Sequence, residues 1–250
     1  MKLRMLTASL ALAAGLGIAP ASQALDLGNL AGGLVNLAKA ATLSDDDAKE
    51  LAFDAAQHMD SQNKIAPPNS PYAKRLARIV KGLNQEDGLA LNFKVYLTKE
   101  VNAFAMANGT VRVYAGLLEA MTDDEVRFVI GHEVGHVKLG HSKKAMQVAY
   151  TASGVRGLAA ASGNQAVAQL SASAIGGFAE ALVNAQFSQS QENEADTYSV
   201  GFMKRHNYPP AAAVSALRKL QALGDGASIL SSHPASSERA AKVEGEVAKL

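Results

Sequence analysis

His132-Glu133-Val134-Gly135-His136 puts two imidazoles and one carboxylate into a run of five residues. On a helix the two histidines, four apart, project from one face about one turn from each other, so both rings can reach a single divalent ion. Glu133 lies beside them, free to handle a proton. This H-E-x-x-H pattern suits a zinc hydrolase, but so short a pattern also occurs by chance, in a helix whose histidines bind nothing. A third ligand is required.

Three acids downstream offer one: Glu192, Glu194 and Asp196. The segment from Ser188 to His206 has the length and composition of a helix, on which Glu192 and Asp196 share a face while Glu194 points elsewhere. Spacing alone leaves Glu194 in competition with Glu192. His141 is at the wrong distance for the longer H-E-x-x-H-x-x-G-x-x-H pattern and is expected at a helix C-terminus, where an imidazolium is favoured. His58 and His206 have no metal-like partners at helical spacing and are expected on the surface.

Several elements must hold these groups. Thr122 to Glu125 forms a capping box, Val126, Val129, Ile130 and Val134 give the helix an apolar face, and Gly140 is its expected stop. Ahead of it, Phe93–Leu97 and Thr110–Tyr114 read as strands with an Asn108-Gly109 turn. Asn102 to Met106 between them reads as an edge strand, the alternative being a strand paired wholly within the sheet. Ser44 caps an earlier helix carrying Leu51, Ala55 and Met59, the prolines from Pro67 to Pro71 break the chain, and a second helix is expected from about Tyr72 to Leu83. Between Ser142 and Phe187 the chain is rich in Ala, Gly and Ser. Arg156, Asn164, Gln165, Gln169 and Glu180 interrupt it too often for a membrane span of about 20 apolar residues. Two amphipathic helices joined near Gly163 are expected instead.

With these residues the chain resembles the CAAX-prenyl-protease-type zinc metallopeptidases. The resemblance rests on H-E-x-x-H, on the later Glu192 to Asp196 helix, on Asn102-Ala103-Phe104-Ala105 ahead of Gly109 to Tyr114, on Gly116-Leu117-Leu118, and on His233 to Arg239. It runs from about Leu43 to the C-terminus and is strongest toward the family's periplasmic members across Val101–Ala107 and Leu182–Ser188. It implies an α+β, predominantly helical zincin fold of gluzincin type, with a small β-sheet beside the active-site helix. It further implies one zinc per chain on His132, His136 and Glu192, with Glu133 as general base for a water that attacks a peptide carbonyl. Three protein ligands leave a fourth tetrahedral position, as a catalytic site requires.

Asp196, one turn after Glu192, is expected to accept a hydrogen bond from a ligand imidazole. Arg239 pairs with Asp196, or with a substrate carbonyl, or is a solvated helix arginine. His233, in a loop before the last helix, lies near the metal in the family. It is open to three readings: a donor to the oxyanion, a fourth ligand in a resting state displaced by substrate, or a surface histidine. The strand of Asn102, Ala103, Phe104 and Ala105 is implied to bind extended substrate through its main chain, which favours unfolded segments.

Length and composition bound the rest. At 250 residues and 48% apolar, the chain can bury a full core, and one catalytic domain over residues 42–250 is the economical expectation. Lys2 and Arg4, the apolar stretch Met5–Ile18 and Ser22-Gln23-Ala24 read as a cleaved secretory signal over residues 1–24. Residues 25–41 stand apart: Leu27, Leu30, Leu34 and Leu37 recur at helical spacing, but Gly28, Gly32 and Gly33 weaken an autonomous helix. Docking, self-association and flexibility are left open for this segment. Without Lys2 and Arg4 the formal charge moves from +1 to −1, so no basic surplus recommends nucleic acid or anionic membrane. With no cysteine there is neither a disulfide nor a lipid-modifiable thiol. A periplasmic protein that is not a lipoprotein and has no integral membrane segment after cleavage is expected, docking on an outer-membrane partner being left open. The expected function is a zinc endopeptidase acting on misfolded or unfolded envelope proteins, that substrate class coming from the resemblance. Its rivals are a chaperone or adaptor with an idle metal site, and a protease silenced by His233 or by the N-terminal segment.

Overall fold

The computed structural model describes residues 27–161, 174–224, 227–234 and 237–250. The expected signal at 1–24 and the join near Gly163 lie outside them. Helix α1 (Leu27–Thr42) is followed by α2 (Asp45–Gln62) and α3 (Pro71–Ile79). After the strands come α4 (Ala115–Ala120), α5 (Asp123–Lys138), α6 (His141–Ala161) and α7 (Ala174–Val183). The chain closes with α8 (Gln189–Arg205), α9 (Ala211–Leu223), a short 3-10 turn (Ser228–Ser231) and α10 (Ser237–Val247). No helix among the described residues is long and apolar enough to cross a membrane.

Local chemistry sets the boundaries. Ser44, Thr122 and Ser188 each accept from the backbone three residues on, and Asp47, Glu125 and Gln191 reach back to complete three capping boxes. Helix α3 stops at Ile79 rather than near Leu83, and Gly82 just beyond it takes φ +86°. Despite its glycines α1 is helical, because it lies against α6 and tertiary contact supplies what propensity withholds.

A hairpin of β1 (Gln85–Glu86) and β2 (Leu89–Ala90) turns through Asp87-Gly88, both at positive φ, as a two-residue Asp-Gly turn requires. The main sheet has the order β3 (Asn92–Tyr96), β5 (Thr110–Tyr114), β4 (Ala103–Ala105). Strand β3 runs parallel to β5 and β4 antiparallel to it, which leaves β4 on the edge. Gly109 makes the turn into β5 with φ +83°, and a Cβ there would lie 2.1 Å from the Ala90 carbonyl oxygen, so only glycine fits.

The sheet separates two cores. One face packs Val95, Val111 and Val113 with Leu117, Val126, Ile130 and Phe202. On the other, Tyr96, Phe104 and Tyr114 meet the alanine face of α2 (Ala48, Ala52, Ala55) and Met146 of α6. Asp60 closes that side, accepting from Tyr96 Oη at 2.8 Å, Lys94 Nζ at 2.7 Å and Arg112 Nε at 2.8 Å. The frame is therefore α+β and mostly helical, with a small sheet whose edge strand runs along α5.

Candidate active site

Helix α5 is buried from Phe128 to His136, and α8 packs directly on it. Two glycines allow the approach. A Cβ on Gly131 would lie 2.6 Å from both Phe202 Cδ1 and Ser199 Oγ, and one on Gly135 would lie 2.9 Å from Tyr198 Cδ1. Glu192 and Asp196 on α8 thereby reach the α5 histidines. His233 arrives from the loop after the 3-10 turn, anchored by its N–H to the Ile229 carbonyl at 2.9 Å.

These elements bring four donors to one point. His132 Nε2 is 3.0 Å from His136 Nε2, 3.2 Å from His233 Nδ1 and 3.6 Å from Glu192 Oε2. Glu192 Oε1 is 3.3 Å from His136 Nε2 and 3.0 Å from His233 Nδ1. A tetrahedron with zinc-like arms of about 2.0–2.1 Å has edges of about 3.3–3.4 Å, so the cluster is the size of one tetrahedral zinc site. His132, His136, Glu192 and His233 are all buried and can hold one ion.

Two further observations fit a divalent cation. Glu133 Oε1 and Glu192 Oε2 are buried without a hydrogen-bond donor, although Arg239 Nη1 approaches the latter in a 2.5 Å ion pair. Three buried carboxylates (Glu133, Glu192, Asp196) face one buried guanidinium (Arg239), which leaves two negative charges to be balanced.

Burial and close neighbours set the protonation equilibria. Burial pushes the Glu133 carboxyl up, with the Ala105 N–H and neighbouring imidazoles pulling weakly the other way. Burial pushes His136 well below the usual imidazole range. Burial would also raise Glu192, but the imidazoles of His136 and His233 against its carboxylate hold it far below the carboxylate range. For His233 burial acts downward and is outweighed by Glu133 and Glu192, leaving it raised.

Around the four donors stand their partners. His132 Nδ1 bonds Asp196 Oδ1 at 2.9 Å, and Arg239 grips Asp196 with two hydrogen bonds of 2.8 Å. Arg239 is thus a buried partner of Asp196 and not a solvated helix arginine. His233 Nε2 stands 3.4 Å from Glu133 Oε1, so His233 is not a surface residue. Asn102 caps the edge strand internally, its Oδ1 accepting from the Ala103 N–H at 2.8 Å. Phe104 and Ala105 line the cleft over Glu133 and His136.

One expectation is corrected and two readings are narrowed. His141 is no helix C-terminal imidazolium: it opens α6, is buried, and its Nδ1 lies 3.1 Å from His136 Nδ1, burial pushing its pKa down. Glu194 does not compete with Glu192. It lies outside the cluster, 3.3 Å from His141 Nε2. His206, half-buried near the surface, is tied by Nε2 to Glu86 at 2.8 Å. The sequence reading also missed Phe187, whose ring centroid is 3.9 Å from that of His136 and 5.1 Å from that of His233. Its only signal was its place in the Leu182–Ser188 stretch. The cleft so capped has a free volume of about 30 Å³, room for a water or two but not for a peptide.

A buried two-His-plus-carboxylate cluster, a glutamate beside it with one oxygen free of hydrogen bonds and an edge strand along the same helix define a zincin-type metallopeptidase. The chain belongs to Peptidase family M48, whose profile matches residues 71–247, and is a zinc metalloendopeptidase. It is 47% identical to Metalloprotease LoiP of Escherichia coli (strain K12), over 96% of this chain and 95% of that protein. With Metalloprotease YcaL of the same strain it shares 44% identity, over 86% and 85% of the two chains. The Beta-barrel assembly-enhancing protease of Yersinia pestis is 27% identical over 82% of this chain and 42% of its own length.

Proposed function

We propose that this chain is an exported zinc endopeptidase that cuts unfolded or misfolded envelope proteins, with His132, His136 and Glu192 holding the ion and Glu133 moving the proton. The observation that carries this reading is Glu133 Oε1: a buried carboxylate oxygen with no hydrogen-bond donor, on the same helix turn as two donor imidazoles. A structural metal site has no use for such a group. Zinc, when bound, supplies Lewis-acid activation of water and of the scissile carbonyl. Glu133 accepts the proton of the attacking water at Oε1 and returns it to the departing amine. Burial raises its proton affinity, as suits a group that must take a proton and give it up again. Asp196, clamped by Arg239, holds His132 by its Nδ1–H.

Strand β4 supports the substrate class. Asn102 and Met106 bond their main chain to β5, so by antiparallel alternation Ala103 and Ala105 turn theirs to the other edge, where the Ala103 N–H is held by Asn102 Oδ1 and the Ala105 N–H lies against Glu133, so the carbonyls of this strand are the groups offered to a substrate. An extended chain added there is held by main-chain hydrogen bonds that ignore its sequence, so the requirement is accessibility, as in an unfolded segment. Export and a periplasmic location follow from the leader at residues 1–24, and protein quality control from the substrate class. Residues 42–250 are the catalytic domain, and α1 ahead of it lies against α6. The net charge offers nucleic acid no purchase, and without cysteine the mature chain is no lipoprotein. An outer-membrane-associated protein is the kind of partner such a protease would meet.

A second reading concerns the resting state. His233 Nδ1 stands where the fourth ligand of a tetrahedral ion would, and Phe187 helps close the cleft. His233 then blocks the site until substrate displaces it, in preference to donating to an oxyanion. A chaperone or adaptor with an idle site is disfavoured by Glu133.

Degradation of an unfolded test protein by the zinc-loaded chain, compared with Glu133→Gln, tests the proposal. Glu133→Gln should keep its zinc and lose about 10²–10⁴-fold in rate, with the wild type stopped by a chelator. Equal cleavage by both proteins would remove Glu133 from the chemistry. If both bind zinc and neither cuts, the blocked or adaptor readings take over.

A further inference from the structure

His136 has two ring nitrogens and only one faces the donor cluster. Nε2 points at His132 Nε2 and Glu192 Oε1, at 3.0 and 3.3 Å. Nδ1 points the other way, at His141 Nδ1, 3.1 Å off. The second nitrogen of His141, Nε2, lies 3.3 Å from Glu194 Oε2, and the other oxygen of Glu194 accepts from Ser190 Oγ at 2.9 Å.

Two facing ring nitrogens bond only if one carries a proton and the other does not. An ionised carboxylate only accepts, so Glu194 places the His141 proton on Nε2 and leaves Nδ1 as an acceptor. His136 must then carry its own proton on Nδ1, which turns the lone pair of Nε2 toward the cluster. That is the tautomer a metal-binding imidazole needs. Asp196 does the same for His132 in one step, its Oδ1 bonding Nδ1 at 2.9 Å.

The chain is shaped for this contact. Helix α5 ends at Lys138, Gly140 takes φ +77°, and the reversal brings His141, the first residue of α6, back beneath His136. The two rings meet edge to face with centroids 5.1 Å apart, while Phe187 lies against His136 at a centroid distance of 3.9 Å.

We infer that His141 and Glu194 form a two-residue relay that fixes the tautomer and orientation of His136, and that both are positioning residues for the metal site. The inference rests on the reading of His136 as a zinc ligand. It assigns Glu194 a task that the ligand reading alone leaves blank.

Zinc affinity of the full chain, measured by competition with a chromogenic chelator alongside the melting temperature of the metal-free protein, tests it. Loss of an outer partner of a ligand histidine weakens metal binding by about 10–100-fold, so His141→Ala should fall in that range. His141→Asn keeps an acceptor, its Oδ1, where Nδ1 stands, and should recover all but a few-fold. Glu194→Ala, on a half-exposed side chain, should weaken zinc several-fold without lowering the melting temperature of the metal-free protein, and should add nothing in a His141→Ala background. The relay is overturned if His141→Ala binds zinc as the wild type does, if His141→Asn is as weak as His141→Ala, or if the Glu194 effect adds in full to that of His141. Should His141→Ala not fold, Glu194→Ala alone decides by the same measure. A wild type that binds no zinc overturns the metal site itself, and the relay with it.

Discussion

Gly131→Ala adds one methyl where α5 and α8 cross. The new Cβ would sit 2.6 Å from Phe202 Cδ1 and 2.6 Å from Ser199 Oγ, against a comfortable carbon contact of about 3.5–4.0 Å. Neither neighbour can yield easily. Phe202 and Ser199 are both fully buried, and Ser199 Oγ donates to the Phe128 carbonyl at 2.6 Å. The helices must therefore separate by about 1 Å, and overpacking of this kind costs about 1–3 kcal/mol. Alanine recovers up to about 1 kcal/mol of helix propensity over glycine. The net loss is up to about 2 kcal/mol, a fall in melting temperature of up to about 8 °C for a domain of this size. Gly245→Ala in α10 meets nothing within 4 Å, so propensity acts alone and the melting temperature should rise by about 2–4 °C. Ser199 and Glu192 lie two turns apart on α8, so the displacement also spreads donor atoms now 3.0–3.6 Å apart, and zinc affinity should fall for Gly131→Ala and hold for Gly245→Ala. Thermal melts followed by circular dichroism and chelator competition read both effects. A Gly131→Ala protein that melts at or above the wild type with unchanged zinc affinity would refute the claim that close helix approach builds the site.

Three further outcomes follow from contacts elsewhere. His233→Ala should raise the rate of cleavage of an unfolded protein several-fold if the imidazole blocks the fourth position, whereas a fall in rate would return His233 to the oxyanion role. Arg239→Leu strips two buried carboxylates of their guanidinium and should cost about 3–5 kcal/mol in urea unfolding; a loss below about 1 kcal/mol would show that the cluster does not need it. For Asp60, burial acts upward, but hydrogen bonds from Arg112, Lys94 and Tyr96 outweigh it and hold the carboxyl at about 2. A depressed carboxyl stabilises fully above its unfolded pKa near 4 and loses that contribution as pH falls toward 2. The group is partly solvated, so about 1 kcal/mol is expected, and the stability gap between wild type and Asp60→Asn should narrow by that amount from pH 5 to pH 2. A gap that stays constant over that range would count against the network.

What could be read from the chain was local. The cap at Ser44 and the box at Thr122 are written in local patterns, and Asn108-Gly109 and Gly140 mark backbone that needs positive φ. The juxtaposition of His132 and His136 is likewise one helical turn. The encounter of His132 with His233, 101 residues apart, has no local signature, and only the family resemblance brought His233 near the metal. His141 was misread for a related reason. Its distance from His136 excluded one ligand pattern, but nothing in the spacing says that a helix ending at Gly140 doubles back. Glu194 stood off the Glu192 face, as helical geometry requires, yet its partner became visible only once α6 was placed. The helix of α1 was obscured by its glycines, because its support comes from α6, more than a hundred residues along the chain.

Electrostatics explains why so polar a cluster sits in so buried a place. Uncompensated charge in the interior costs several kcal/mol per ion, and the three carboxylates around Arg239 carry two charges more than it neutralises. A divalent cation supplies the missing charge, so ion and protons compete for the same donors and metal loading is coupled to the stability of the helix pair that holds them. Within that pair the three donors on α5 and α8 are fixed by capped, tightly packed helices. His233 alone among the four comes from a loop, held by a main-chain hydrogen bond to Ile229. It is the donor that can leave most cheaply, and it lines the same cleft as Ala105 of β4 and Glu133.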